Sequence, residues 1–330
     1  MHVAKSVLVT GAGGFIGSHL CKYLATRGFH VTGTSRSAAS PNSLCFPGFD
    51  LVQVGDLSRC SDLSSLLKHS SNNSVGSEGV VDFVIHCAAR AHVLRENRRN
   101  ALAVYRRNNV HTTHQLASQA AHLGVKRFIF LSSIGVNGST TSLLNPFAPG
   151  NIPRPDSPYS VSKLEAEILL GEISSSTDMD VVIVRPPLVY GAGSKGNLSR
   201  LVELIKRGAP MPFASIRNKR AFISLDNLSD FLIHCMLHPA ASNQTFLVSD
   251  GFDVSTPYLI NSIALSLGVP PHLFPFPQCT LRSLGILLGR SRDVQRLVDS
   301  LLVDISQSRE LLEWSPPLTF EEGISRLVVN

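Results

Sequence analysis

The stretch Ser6-Val7-Leu8-Val9-Thr10-Gly11-Ala12-Gly13-Gly14-Phe15-Ile16-Gly17 decides the fold. Its β-branched start reads as a strand. Glycines follow, and an apolar-periodic segment over residues 15–27 reads as a helix. Strand, glycine turn and helix are the context in which GxxGxxG cradles a dinucleotide. Gly11 permits the tight turn. Gly14 lets the backbone approach a pyrophosphate at the helix N-terminus, and Gly17 allows the helix to pack closely on the sheet.

Working outward, strands are expected at residues 30–34, 51–54, 83–86, 127–131 and 181–185, with helices over 101–123 and 157–171. Strands alternating with helices imply an α/β fold, a Rossmann-type doubly wound parallel sheet. Residues 69–79 are Ser/Asn/Gly-rich and read as a mobile surface loop, and residues 146–158 as a Pro-rich one. After about Gly191 the alternation fades. Residues 1–190 are therefore expected to bind dinucleotide and carry the catalytic groups. Residues 191–330 form a smaller, interleaved, mainly substrate-binding part.

The 330 residues include 43% hydrophobic and 16% charged side chains, which excludes global disorder. The net charge of +6 is modest and suits anionic ligands. Six scattered cysteines without a CxxC pair suggest neither a disulfide framework nor a metal site, and reduced thiols suit a cytoplasmic protein. The longest uncharged stretch, residues 254–281, holds five prolines and cannot be a membrane span. Residues 90–107 contain six arginines but only one aromatic residue, Tyr105, and no nucleic-acid motif. A solvated or oligomer-facing surface is the simpler reading. His86 and His92 read as structural or substrate-lining.

Cofactor choice should be written at the end of the second strand. An acidic residue there binds the ribose 2′-OH of NAD, and an arginine accommodates the 2′-phosphate of NADP. The position holds Ser35 followed by Arg36, so NADP(H) is favoured over NAD(H), unless Arg36 is an ordinary loop arginine. Asp56 and Leu57 are placed to meet the adenine edge.

Tyr159-Ser160-Val161-Ser162-Lys163 is YxxxK on an expected helix, with phenol and ammonium on one face. The ammonium should favour the phenolate and draw the Tyr159 pKa down from about 10 toward neutrality. Tyr159 then serves as general acid/base. Ser133, closing the fifth strand, can hydrogen-bond the same substrate oxygen.

With these pieces the chain resembles the extended short-chain dehydrogenase/reductase family, also described as NAD-dependent epimerases/dehydratases. The matching motifs are TGAGGFIG at 10–17, GDL at 55–57, HCAA at 86–89, NNV at 108–110, SS at 132–133, YSVSK at 159–163 and RPPLVYG at 185–191. Within the family it is similar to UDP-sugar 4-epimerases and UDP-4-keto-sugar 4-reductases. The resemblance implies that Tyr159 moves a proton on the sugar 4-oxygen while nicotinamide moves a hydride at the same carbon. Ser133, Tyr159 and Lys163 carry over as the catalytic group, Lys163 also holding the nicotinamide ribose. Phe15, Ile16, Ala88, Ala89, Asn109 and Pro186 carry over as dinucleotide contacts. Asn197 falls where the family contacts the nucleotide. Arg220 matches the arginine that reaches the diphosphate, a task suited to its bidentate fork. A homodimer is usual for such proteins.

Two departures refine the reading. Ser133 is followed by Ile134-Gly135-Val136, not by the Asp-Glu pair of 4,6-dehydratases, so dehydration is not expected. The acidic residue that 4-epimerases carry at the position of Ser35 and their late Arg-x-Gly-Asp are not evident; the late segment Gly289-Arg290-Ser291-Arg292-Asp293 is different. Since reductases consume NADPH, Ser35-Arg36 tilts the reading toward a 4-ketoreductase of a UDP-4-keto-6-deoxy-hexosamine, as in O-antigen and other surface-polysaccharide pathways. A 4-epimerase with bound NAD is the alternative. A non-catalytic dinucleotide sensor is a second alternative, which retention of both Tyr159 and Lys163 opposes.

Overall fold

The computed structural model describes residues 5–37, 46–70, 78–91, 100–194 and 196–328. The chain runs β1 (Ser6–Thr10), α1 (Phe15–Ala25), β2 (His30–Ser35), β3 (Phe49–Gln53), a hairpin of β4 (Lys68–Ser70) and β5 (Glu78–Val80), then β6 (Phe83–His86). Next come α2 (Ala101–Tyr105), α3 (Thr112–Leu123), β7 (Arg127–Leu131), α4 (Pro158–Ser176), β8 (Asp180–Arg185) and β9 (Leu188–Tyr190). The remainder is α5 (Asn197–Lys206), β10 (Phe222–Ser224), α6 (Leu225–Leu237), β11 (Thr245–Leu247), α7 (Thr256–Leu267), α8 (Gln278–Leu287), α9 (Ser291–Val298), α10 (Ser306–Leu312) and α11 (Phe320–Val328).

Seven strands form one sheet in the order β11-β8-β7-β6-β1-β2-β3, every neighbouring pair parallel. This is the expected Rossmann-type sheet. Its order reverses beside β1, so the C-terminal ends of β1 and β6 open a crevice there. β1, β6 and β7 are buried throughout, as strands covered on both faces must be. One face packs on α1 and α6 through Leu20, Leu24, Phe231 and Leu232. The other packs on α3 and α4 through Leu116, Ala120, Ala166 and Leu170. A third cluster, with Tyr190, Leu201, Ile260 and Phe320, holds α5, α7 and α11 together.

The six expected strands of the sheet are present, three of them with the expected ends and three shifted by one or two residues. β11, which the fading alternation hid, extends the sheet at the edge beyond β8. The expected helix over 101–123 is one rod with a π-helical turn, Arg106–His111, that turns Asn109 and Val110 inward. The centre of the expected loop over 69–79 lies outside the described residues, its ends being β4 and β5. His92, Arg95, Arg98 and Arg99 also lie outside them. Arg127 fixes α6 to the sheet: Nη1 donates to the carbonyls of Cys235, Met236 and His238, and Nη2 to Asp180. A guanidinium there satisfies carbonyls that a helix end leaves free.

Candidate functional site

The glycine turn meets the next strand at backbone distance. Gly11 lies at φ +75°, and a Cβ on it would stand 2.9 Å from the Ala88 nitrogen. The Gly14 nitrogen donates to Gly11 O at 2.9 Å, which closes the turn. Gly14 caps α1 without any side-chain hydrogen bond, and Gly13 and Gly14 are exposed. The first-turn N–H groups therefore face outward, an arrangement that fits a pyrophosphate.

A hydrogen-bonded relay ties this turn to the π-helical turn. Ala88 N donates to Thr10 Oγ1, 3.2 Å, and Thr10 Oγ1 lies 2.7 Å from His86 Nδ1. On the other side His86 Nε2 lies 3.0 Å from Thr113 Oγ1, which donates to Asn109 O at 2.5 Å. The Thr113 hydroxyl spends its proton on Asn109, so His86 carries its hydrogen on Nε2 and accepts from Thr10 on Nδ1. Burial, then the Lys163 charge, pushes His86 down to about 3. It is a neutral structural crosslink.

Asn109 is buried and fixes two elements at once. Its Oδ1 accepts from Arg90 N at 2.8 Å, and its Nδ2 donates to Ser162 Oγ at 2.9 Å. The loop after β6 is thereby held to α4 one residue before Lys163. Ser157 caps α4 by accepting from Ser160 N, and Pro158 supplies the first helical φ. Lys163 is buried, donates to Leu131 O at 2.8 Å and lies 4.3 Å over the Phe130 ring. Burial lowers its ammonium to about 8, against the raising effects of Cys87 and Glu167.

Ser133 follows β7 and caps the short turn Ile134–Val136, accepting from Gly135 N at 3.2 Å. A Cβ on Gly135 would fall 2.5 Å from Ser160 Oγ and 3.4 Å from Ser133 Oγ. This glycine lets the Ser133 turn lie against the first turn of α4, where Tyr159 stands. The structure thus brings Ser133, Tyr159 and Lys163 to the C-terminal end of β7. Tyr159 corrects one expectation. Its ring packs edge-on against Tyr105, centroids 6.1 Å apart. Burial, then Tyr105, pushes its phenol above the ordinary tyrosine value rather than toward neutrality. The reason is burial, which penalises the charged phenolate.

A buried ion pair supports this end of the sheet. Ser132 donates to Glu167 Oε1; Arg185 donates to Glu167 Oε2 at 2.5 Å and, through Nη1, to Asn137 at 3.0 Å. Nothing in the sequence reading singled out Glu167 as one turn beyond Lys163, a spacing that could have flagged it.

At the end of β2, Ser35 is buried and donates to Ser37 O at 2.6 Å, while Arg36 is exposed. Asp56 caps Leu57–Arg59, with Oδ1 taken by Ser58 N and Oγ. Phe15, Ile16, Ala88 and Ala89 are half-buried around the glycine turn, and Pro186 is buried with its carbonyl accepting from Ile134 N. Asn197 is exposed at the first residue of α5. Arg220 Nη1 donates to Asp299 O at 2.9 Å, and burial, then Arg296, lowers it to about 10. Its neighbour Ala221 shares an apolar cluster with Ile134, the neighbour of Ser133. A hollow of 360 Å³ borders residues 216–219 and 252–255 with Tyr258. It takes in Arg217 and Lys219 but none of Ser133, Tyr159, Lys163 or Arg220.

Residues 7–249 match the NAD dependent epimerase/dehydratase family. The chain is 40% identical over 324 residues to the UDP-glucose 4-epimerase of Vibrio cholerae, covering 98% of this chain and 94% of that one. It superposes with a TM-score of 0.74 on MoeE5 in complex with UDP-glucuronic acid and NAD, at 25% identity over 97% of each chain. It has the fold of the UDP-glucuronic acid 4-epimerase from Bacillus cereus in complex with NAD, with a TM-score of 0.75 at 23% identity over 98% and 95% of the two chains.

Proposed function

Because the chain belongs to the NAD dependent epimerase/dehydratase family, we propose that it is a 4-epimerase of a UDP-hexose or UDP-hexosamine that keeps NAD bound between turnovers. The observation that carries this reading is that Lys163 is bonded to the end of β7, just before Ser133, while the Ser133 turn lies against the first turn of α4, which carries Tyr159, beside a glycine turn whose helix end has no side-chain cap. The V. cholerae relative and the NAD-bound MoeE5 support epimerisation and NAD over the NADPH-dependent 4-ketoreductase that Ser35-Arg36 first suggested. Ser35 turns its hydroxyl onto Ser37, and Arg36 is exposed.

NAD, when bound, would supply a hydride acceptor and donor at C4. Residues 1–190 would hold it on the glycine turn, with Lys163 to bind its ribose and Pro186 among its contacts, and residues 191–330 would mainly hold the UDP-sugar. Tyr159 accepts the 4-hydroxyl proton and returns it, and Ser133 donates a hydrogen bond to the same oxygen. Burial favours the neutral phenol, which is the proton-donating form, over the phenolate that accepts the proton. Ile134 and Gly135 offer no acid/base for dehydration. Arg220 reaches the diphosphate and Asn197 the nucleotide. Cys21 and Cys235, buried as free thiols, support a reducing cytoplasmic setting, and the family resemblance supports a homodimer.

Incubation of the purified protein with UDP-glucose or UDP-N-acetylglucosamine, without added dinucleotide, tests the reading. The C4 epimer should accumulate to equilibrium. Conversion only of a UDP-4-keto-sugar, with stoichiometric loss of NADPH, would establish the reductase instead.

A further inference from the structure

The hairpin of α8 and α9 has an anchored inner side and a bare outer tip. Inside, Leu281 and Val298 are buried with Ile216, and Val294 and Leu297 pack on them. Gly285 allows the two helices to close, because a Cβ there would lie 2.6 Å from Val294 Cγ2. Residues 286–293 are all exposed. Ile286, Leu287 and Leu288 stand 70%, 80% and 68% exposed, and Leu284 43%. A single exposed leucine is ordinary, but four apolar side chains within five residues form a patch. Residues 282–298 also carry four arginines and one carboxylate, Asp293. Arg282 is bonded to Asp299, whereas Arg290, Arg292 and Arg296 form no ion pair among the described residues.

We propose that this tip docks the protein on an anionic lipid surface. Ile286 and Leu287 project about 100° apart on α8 and Leu288 follows at its C-cap, so the three side chains do not share one face. One rigid protein face cannot cover all three, but the fluid boundary of headgroups and acyl chains can. Arg290 and Arg292, at the foot of the patch, can reach headgroup phosphates while their stems lie along the leucines. The contact lies on the membrane: among the described residues no helix is long and apolar enough to cross it. It also bears on the site proposed above. The Asp299 carbonyl at the far end of α9 holds Arg220. α9 has eight residues, about 12 Å, so the Arg220 loop stands one short helix away from the lipid.

Co-sedimentation of the full-length protein with vesicles tests this. Phosphatidylcholine vesicles containing phosphatidylglycerol should pellet the wild type, and pure phosphatidylcholine should not. Ile286→Asp with Leu287→Asp, and separately Arg290→Glu with Arg292→Glu, should each weaken binding at least about tenfold. Unchanged circular dichroism and dinucleotide binding would show that the variants are folded. Equal binding of wild type and folded variants, or no binding to anionic vesicles, overturns the proposal. So does self-association that the Ile286/Leu287 pair dissolves while vesicle binding is absent, which would assign the tip to a second copy. Because dinucleotide binding and epimerisation are read separately, failure of docking leaves the epimerase reading untouched.

Discussion

The Nζ of Lys163 donates a hydrogen bond of 2.8 Å to the backbone carbonyl of Leu131, the last residue of β7. α4 is thereby locked to the strand that presents Ser133, and a positive charge is held in the crevice. The Tyr159 phenol, four residues earlier on the same helix, is governed instead by burial and by Tyr105.

Replacing Tyr159 by Phe removes the proton carrier and little else, since its hydroxyl makes no hydrogen bond among the described residues. Epimerisation should fall by at least the 10²–10⁴-fold, roughly, that a general acid/base supplies. Dinucleotide affinity and thermal midpoint should stay near wild type. Wild-type turnover in the Phe variant would remove Tyr159 from the mechanism.

The sheet was legible because each buried strand is a short β-branched or aromatic run, and the glycine turn because Gly11 and Gly17 stand where backbone must approach backbone. What was illegible depends on distant pairings. Ser132 and Arg185 stood out only as motif letters and Glu167 not at all, and the fold buries the three polar residues together. The relay through Thr10, His86 and Thr113 joins three elements, and no spacing announces it. Tyr159 and Lys163 were found by spacing. The direction of the Tyr159 shift was misjudged, because spacing does not show how deeply a phenol is buried or that Tyr105 packs on it.

Arg220 lies near Arg296 and is held by one carbonyl, so it retains donors for an anion. Arg220→Ala should weaken UDP binding by about 1.5–3 kcal/mol, the range for hydrogen bonds to charged groups. NAD affinity should hardly change. Titration calorimetry with UDP and with NAD separates the two, and a variant that loses NAD while keeping UDP would place Arg220 at the other end of the cleft.

Ser35 directs its hydroxyl to Ser37 and so makes weak use of the position where a carboxylate would grip the ribose. Ser35→Asp should tighten NAD by about 1.5–3 kcal/mol through charge-assisted hydrogen bonds, and should repel a 2′-phosphate. Dissociation constants for NAD and NADP in both proteins test it. An Asp variant with unchanged NAD affinity would show that the ribose lies elsewhere.

His86 makes the fold acid-sensitive, with a sign that can be worked out. Its folded pKa is pushed down to about 3, below the ordinary value of 6.5, because burial, and then Lys163, disfavour the imidazolium. Between those values the unfolded chain binds a proton that the folded chain refuses. Stability from this group is complete above about pH 6.5 and is lost as pH falls toward 3, with a limiting slope of about 1.4 kcal/mol per pH unit. Asp250 acts the other way. Burial raises its carboxyl to about 6, against hydrogen bonds from Tyr190, Asn227 and Ser224, so its ionisation penalty is relieved as pH falls from 6 toward 4. The wild-type profile therefore mixes the two, and the useful quantity is a difference. His86→Asn does not titrate and leaves Asp250 in place. Urea unfolding of both proteins from pH 7.5 to 4.5 should show the variant less stable at pH 7.5, where it lacks part of the Thr10–Thr113 relay. The gap should narrow by about 2 kcal/mol by pH 5. A gap that stays constant with pH would mean that His86 accepts its proton in the folded state, and that the crevice end of β6 is wetter than its burial indicates.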